Sequence, residues 1–294
     1  METIKNTVFQ VDSAIVKKAR TLDNYIIETN EVAGTGPKIC AIYFSSNFIY
    51  YPNNEASFRA AIFDKNRFEW WNLRHPKACK HIFIRDVYKQ WYLHGINVEL
   101  DSIEKLSDFL KKEIEGFDTY FIGSSAGGYA AVLLGSMLNA KRIYTFNNQF
   151  FLTDLLERST ALVDPIIFKE RNNPAIAQFY SIKPYITNPS NIYYFHSATS
   201  DWDRRQYEEV KEVAMHVIAV KTNVHGIPLL KNNLLPLFDF SEELLKKLTE
   251  KRLNPLLFSL KIVGLFKTLE FIFSILPQIY NRIFLIPIKK ILKA

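Results

Sequence analysis

Residues 119–138 restrict the fold of this chain more than any other stretch. Residues 119–122 form an apolar run of strand length, and 126–138 are rich in Ala and Leu, as a helix would be. Between them the chain reads Gly123-Ser124-Ser125-Ala126-Gly127-Gly128. So short a passage from strand to helix forces its central residue into a strained backbone conformation that only small neighbours permit. The hydroxyl of Ser125 then sits at a helix N-terminus. There the Ala126 amide can face a developing oxyanion, and the helix dipole favours negative charge. This is the setting of a nucleophilic serine. A glycine-rich turn can also simply pack a helix on a sheet or cradle a phosphate. The dinucleotide fingerprint is not matched, because the glycines fall at 123, 127 and 128, and no Gly-Lys pair supplies a P-loop.

The rest of the chain alternates in kind. Residues 38–44, 68–73, 81–84, 142–146, 191–195 and 216–220 read as strands, the first a continuous apolar run suited to burial on both faces. Helices are expected over 101–115, where Asp101 and Glu104 have capping-box spacing, and over 208–214 and 241–251. Strands alternating with helices predict a mostly parallel, doubly wound sheet. With the serine turn this gives an α/β-hydrolase-like three-layer sandwich over 1–250, followed by a basic amphipathic helical tail at 251–294.

A chain of 294 residues can bury a core large enough to need no staple. Its two cysteines, Cys40 and Cys79, suggest neither a disulfide framework nor a zinc site, and no metal is expected. Residues 1–10 have no apolar signal-peptide core, which predicts a cytoplasmic protein. Of 37 basic and 30 acidic residues, 8 and 1 lie in 251–294, leaving 29 of each before it. The positive excess thus belongs to a greasy tail, which points to an anionic membrane surface, or to packing on protein, and away from nucleic acid. The longest uncharged run there, 271–281, is too short to span a bilayer and contains Pro277.

A serine nucleophile needs a base, and in this fold the chain order is Ser, acid, His. His196, His216 and His225 follow the serine. The first two lie in apolar strands, whereas His225 lies in the loop after the last one. Two aspartates follow strand 191–195. Asp203 is favoured as the acid, with Asp201 as the alternative. The turn after strand 38–44, Ser45-Ser46-Asn47, suits a second oxyanion donor, the Ser46 amide.

Residues 122–131 (Ile-Gly-Ser-Ser-Ala-Gly-Gly-Tyr-Ala-Ala) and 142–147 (Arg-Ile-Tyr-Thr-Phe-Asn) resemble the bacterial capsular polysaccharide O-acetyltransferases of the α/β-hydrolase fold. Residues 41–46 and 203–206 are secondary matches, and the resemblance covers about 38–248. It implies acetyl-CoA as donor substrate with no permanently bound cofactor, a glycan acceptor, and an acetyl-serine on Ser125 with His225 as base. The segment 86–95 is similar to an aromatic stretch near the site in such proteins. Trp91 and Tyr92 would there line an acyl or sugar pocket, unless they pack in the core. A carboxylesterase or deacetylase with the same triad, or a non-catalytic polysaccharide-assembly protein, are the competing readings. The residues say nothing of oligomeric state.

Overall fold

A computed structural model describes residues 13–30, 36–160 and 165–280. Seven strands form one sheet: β1 (Tyr25–Thr29), β2 (Ile39–Phe44), β3 (Lys80–Ile84), β4 (Asp118–Ser124), β5 (Arg142–Phe146), β6 (Ile192–Ser197) and β7 (His216–Val220). Their order is β1-β3-β2-β4-β5-β6-β7. β1 runs antiparallel to β3, and every other neighbouring pair is parallel. The architecture is that of an α/β hydrolase, with β4 at its centre.

Parallel neighbours need crossover connections, which put helices on both faces of the sheet. Alternate residues of each strand therefore enter two separate cores. Ile42, Phe44, Phe121 and Ile143 pack with Ile103, Leu106 and Leu110 of α1 (Ile103–Glu113), and with Tyr129 and Leu133 of α2 (Ala126–Met137). The intervening Tyr43, Ile122, Tyr144 and Phe146 pack on the other face with Leu237, Phe238, Leu245 and Phe258. Each such side chain contributes roughly 1.5–3 kcal/mol on burial. The three layers hold the carboxyl end of β4 rigidly in the sheet's central crevice, where open α/β sheets bind ligands.

Four features differ from the sequence expectation. Residues 68–73 form successive turns and no strand: Trp71 N–H donates to Phe68 O and Leu73 N–H to Trp70 O. Phe68 and Trp70 are buried, Trp71 and Leu73 partly so, and the Trp70 indole donates to the Phe44 carbonyl at 3.0 Å, so apolar burial in a turn mimics a strand. The helix expected at 208–214 is α3 (Asp201–Glu208), with turns after it. The Ser200 hydroxyl caps it by accepting from Asp203 N–H, and acidic residues fill its first turn. Ser102, not Asp101, caps α1, accepting from Lys105 N–H, while Asp101 pairs with the Lys105 ammonium at 2.8 Å. β1 was not anticipated, since it is a half-buried edge strand of only five residues.

The segment after 250 is tied to the body. Leu253 lies beside β7, donating to Ala219 O and accepting from Lys221 N–H. The helix that follows, α4 (Pro255–Tyr280), is interrupted at Gly264, where φ is 83°. The expected amphipathic tail is therefore not one continuous helix: the chain reverses at Gly264 into a hairpin. Ser259 Oγ and Thr268 Oγ1 are 2.9 Å apart, although nine residues of straight helix would separate them by about 13 Å. Asn232 Nδ2 anchors the second arm by donating to Lys267 O at 3.1 Å. Among the described residues, no helix is long and apolar enough to cross a membrane.

Candidate active site

Ser125 occupies the turn between β4 and α2 with φ 52° and ψ −125°, a strained region for a residue bearing a Cβ. The turn is over-determined by its surroundings. Ser125 N–H donates to Phe146 O at the end of β5, and its carbonyl accepts from Tyr129 N–H. A Cβ on Gly123 would lie 2.1 Å from the Gly127 carbonyl oxygen, and one on Gly127 would lie 2.2 Å from that of Phe44. The close approach of β2, β4 and α2 therefore requires both glycines.

Three side chains from separate segments meet here: the turn after β4, the first turn of α3 and the loop after β7. Ser125 Oγ is 2.9 Å from His225 Nε2, and His225 Nδ1 is 2.8 Å from Asp203 Oδ1. The Asp203 side chain is 0 % exposed and that of His225 42 %. A buried carboxylate fixes the imidazole's tautomer and orientation, leaving Nε2 to accept the serine proton. Asp201, the alternative acid, points into solvent and pairs with Arg204 at 2.9 Å. His196 is buried between Tyr194 and Tyr207, and burial lowers its pKa to about 4. His216 stacks on Tyr193.

Two buried residues that sequence reasoning passed over hold the histidine loop. Asn147 Nδ2 and Ser197 Oγ both donate to the carbonyl of Val224, at 3.0 and 2.6 Å. Asn147 also binds Ser197 through its side-chain amide, donating to Oγ and accepting from N–H. Their signal was present: each is a polar residue at the carboxyl end of an apolar strand, β5 or β6.

The oxyanion side departs from expectation. Ala126 stands at the first position of α2, where a helix offers its N–H no internal partner. The Ser46 amide, by contrast, donates to Glu69 Oε2 at 2.5 Å, and the Ser46 hydroxyl binds Oε1 at 3.1 Å. The carbonyls of Phe44 and Ser45 lie against Gly127 of the nucleophile turn, but a carboxylate occupies the Ser46 amide. Burial raises the Glu69 pKa, opposed by the Ser46 bonds and by Arg67. Glu69 was hidden in the stretch read as a strand.

Trp91 and Tyr92 also need correction as pocket-lining residues, because both are buried. The Asp86 carboxylate accepts backbone N–H bonds from Tyr88, Gln90 and Tyr92, and Lys89, Trp91 and Tyr92 have positive φ. That tight wrap turns the aromatics inward. The Trp91 indole donates to Gln149 Oε1, and the Tyr92 hydroxyl donates to Ser45 O at 2.7 Å. Tyr92 thereby braces the turn carrying Ser46, and Trp91 the segment after β5.

No model of a known protein family matches the chain, and no curated protein does. Several solved structures are similar to it. The capsule O-acetyltransferase of Neisseria meningitidis serogroup A, the kind of protein that 122–131 and 142–147 resemble, has 16 % identity and a TM-score of 0.48, covering 78 % of this chain and 93 % of that one. A variant of that enzyme in complex with CoA has 17 % identity and a TM-score of 0.44, covering 78 % and 92 %. The Wnt deacylase Notum from Drosophila has 12 % identity and a TM-score of 0.44, covering 78 % and 89 %.

Proposed function

We propose that the protein is a serine acyltransferase that moves acetyl from acetyl-CoA to a hydroxyl of a bacterial surface glycan. The observation that carries the acyl chemistry is the Ser125–His225–Asp203 chain of contacts at 2.9 and 2.8 Å. Donor and acceptor rest on the family resemblance of the elbow and of β5.

In this reaction Ser125 Oγ attacks the thioester carbonyl while His225 Nε2 takes its proton. The oxyanion forms beside the Ala126 amide, with Ser46 contributing once Glu69 has left its amide. The tetrahedral intermediate collapses with loss of CoA, whose sulfur receives the proton from His225. The acceptor hydroxyl then attacks the acetyl-serine and gives its proton to His225, and release of the acetyl ester restores Ser125. Asp203 stays ionised and stabilises the imidazolium throughout.

A cytoplasmic site of action suits both substrates. Acetyl-CoA is made there, and Cys40 and Cys79 are free thiols. Simple ester hydrolysis is the second reading, favoured by the half-exposed His225, which leaves water access to the acyl-enzyme. Incubation with labelled acetyl-CoA, with and without capsule oligosaccharide, separates them. Transfer requires label on the glycan and an acetyl adduct on Ser125. Release of free acetate whatever glycan is offered selects the esterase. Full biological activity of Ser125→Ala would reject both in favour of a non-catalytic assembly role.

A further inference from the structure

The outward side of the hairpin's second arm is apolar and uncovered by the described residues. Leu265, Phe266, Leu269, Phe273 and Leu276 are 39–87 % exposed. At 100° per residue they fall within one sector about 100° wide. Thr268, on the other side, is buried against Ser259. Leu256 and Leu257 of the first arm add to the exposed apolar surface.

Charge identifies what covers this face. Lys261 and Lys267 are exposed on the two arms, and Lys251 and Arg252 precede them. Arg282, Lys289, Lys290 and Lys293 follow beyond the described residues. The first 250 residues carry no net charge. Glu270 is exposed beside the stripe and is the one acid among the eight cations of 251–294, so the net charge around the leucines and phenylalanines is strongly positive, matching the acyl boundary and the phosphates of an anionic bilayer. No described helix can cross that bilayer, so the hairpin would lie on it.

The geometry points to docking of the hairpin on an anionic lipid surface, with Leu265, Phe266, Leu269, Phe273 and Leu276 entering the acyl boundary. The hairpin is hydrogen-bonded to the body at two points, Leu253 on β7 and Lys267 on Asn232. The turn bearing Asn232, Lys231–Asn233, begins six residues after His225. Docking therefore fixes the height of the Ser125–His225 mouth above the lipid, and the acceptors within its reach are glycans anchored to the same leaflet. Docking stands on the hairpin alone. Only the choice of acceptor and of the cytoplasmic leaflet rests on the function proposed above.

The test uses the full chain and vesicles of phosphatidylcholine, alone or mixed with phosphatidylglycerol. The protein should float with anionic vesicles at least about tenfold better than with neutral ones, and less at high salt. A polarity-sensitive dye on Phe266→Cys should brighten on binding, whereas one on Met137→Cys, on α2, should not. The variant Phe266→Ser/Leu269→Ser/Phe273→Ser should lose at least about tenfold in binding, with its melting curve and soluble-ester hydrolysis kept. The proposal is overturned by absence of flotation, or by equal flotation of the variant. It is also overturned if the dye at 266 is shielded without lipid, by the chain's own end in a monomer or by a second copy in a dimer. Docking without any Ser125 chemistry would leave the proposal standing and remove the acyl-transfer reading.

Discussion

The Ser125 elbow and the hairpin after Leu253 are built on opposite principles. At the elbow, side chains are absent where backbones must touch, and the neighbouring polar atoms are engaged by named partners. On the hairpin, large apolar side chains stand largely in solvent. The first region is specified by exclusion, so a side chain added at Gly123 or Gly127 is felt throughout the fold. The second is specified by something outside the chain, so substitutions there leave folding alone and alter only where the molecule sits.

The sharpest way to break this contrast is Ser125→Ala. Hydrolysis of a soluble acetyl ester should fall about a thousand- to millionfold, with the melting temperature nearly unchanged. Retention of a tenth of the activity would end the nucleophile assignment. Gly127→Ala should instead cost the fold itself, more than about 4 kcal/mol by chemical denaturation, because its Cβ would meet the Phe44 carbonyl. By contrast Phe266→Ser should stay within about 0.5 kcal/mol of the parent. Similar losses at both sites would abolish the distinction.

Asn147→Ala tests whether the histidine loop belongs with the rigid region. It removes the bonds to Val224 and Ser197, so kcat should drop about ten- to hundredfold with KM little changed, and stability by about 1–3 kcal/mol. A change confined to KM would contradict that role. Acid should also act on the body first. Burial lowers the pKa of His75 and of His196 from 6.5 to about 4, and α4 contains no histidine. Below pH 6.5 the unfolded chain binds more protons than the folded one, so stability is full above 6.5 and declines as pH falls towards 4. Denaturation midpoints across that window should follow this slope, and His196→Gln should flatten it. The smallest effect is expected from Glu69→Gln. Removing the carboxylate charge that holds the proposed oxyanion donor, the Ser46 amide, should speed acyl-enzyme formation a few-fold in burst measurements. A slower burst would mean that Glu69 serves to hold the Ser46 turn.

Local pattern made the elbow legible, since strand, small residues and helix are contiguous. His225 and Asp203 were legible because chain order in this topology restricts where a base and an acid can lie. Asn147, Ser197 and Glu69 escaped, because their roles consist of contacts between segments 23 to 77 residues apart. Residues 68–73 misled through composition: Phe68 and Trp70 are buried, but in a turn whose main chain bonds to itself. The helix Asp201–Glu208 was displaced because it carries almost no apolar stripe, and its start is marked by a single capping serine.

The half-exposed imidazole of His225 sets a kinetic contest. Under the proposed transfer, bulk water can approach the same Nε2 that would receive the acceptor's proton, and it is always present at far higher concentration. Nothing described in the chain closes over that flank. A transferase with this geometry would gain selectivity from the acceptor, whose own bulk would displace solvent as it arrives. Longer glycans should then be acetylated more cleanly than their monosaccharides, and acetyl lost to water becomes a measure of how well the mouth is filled.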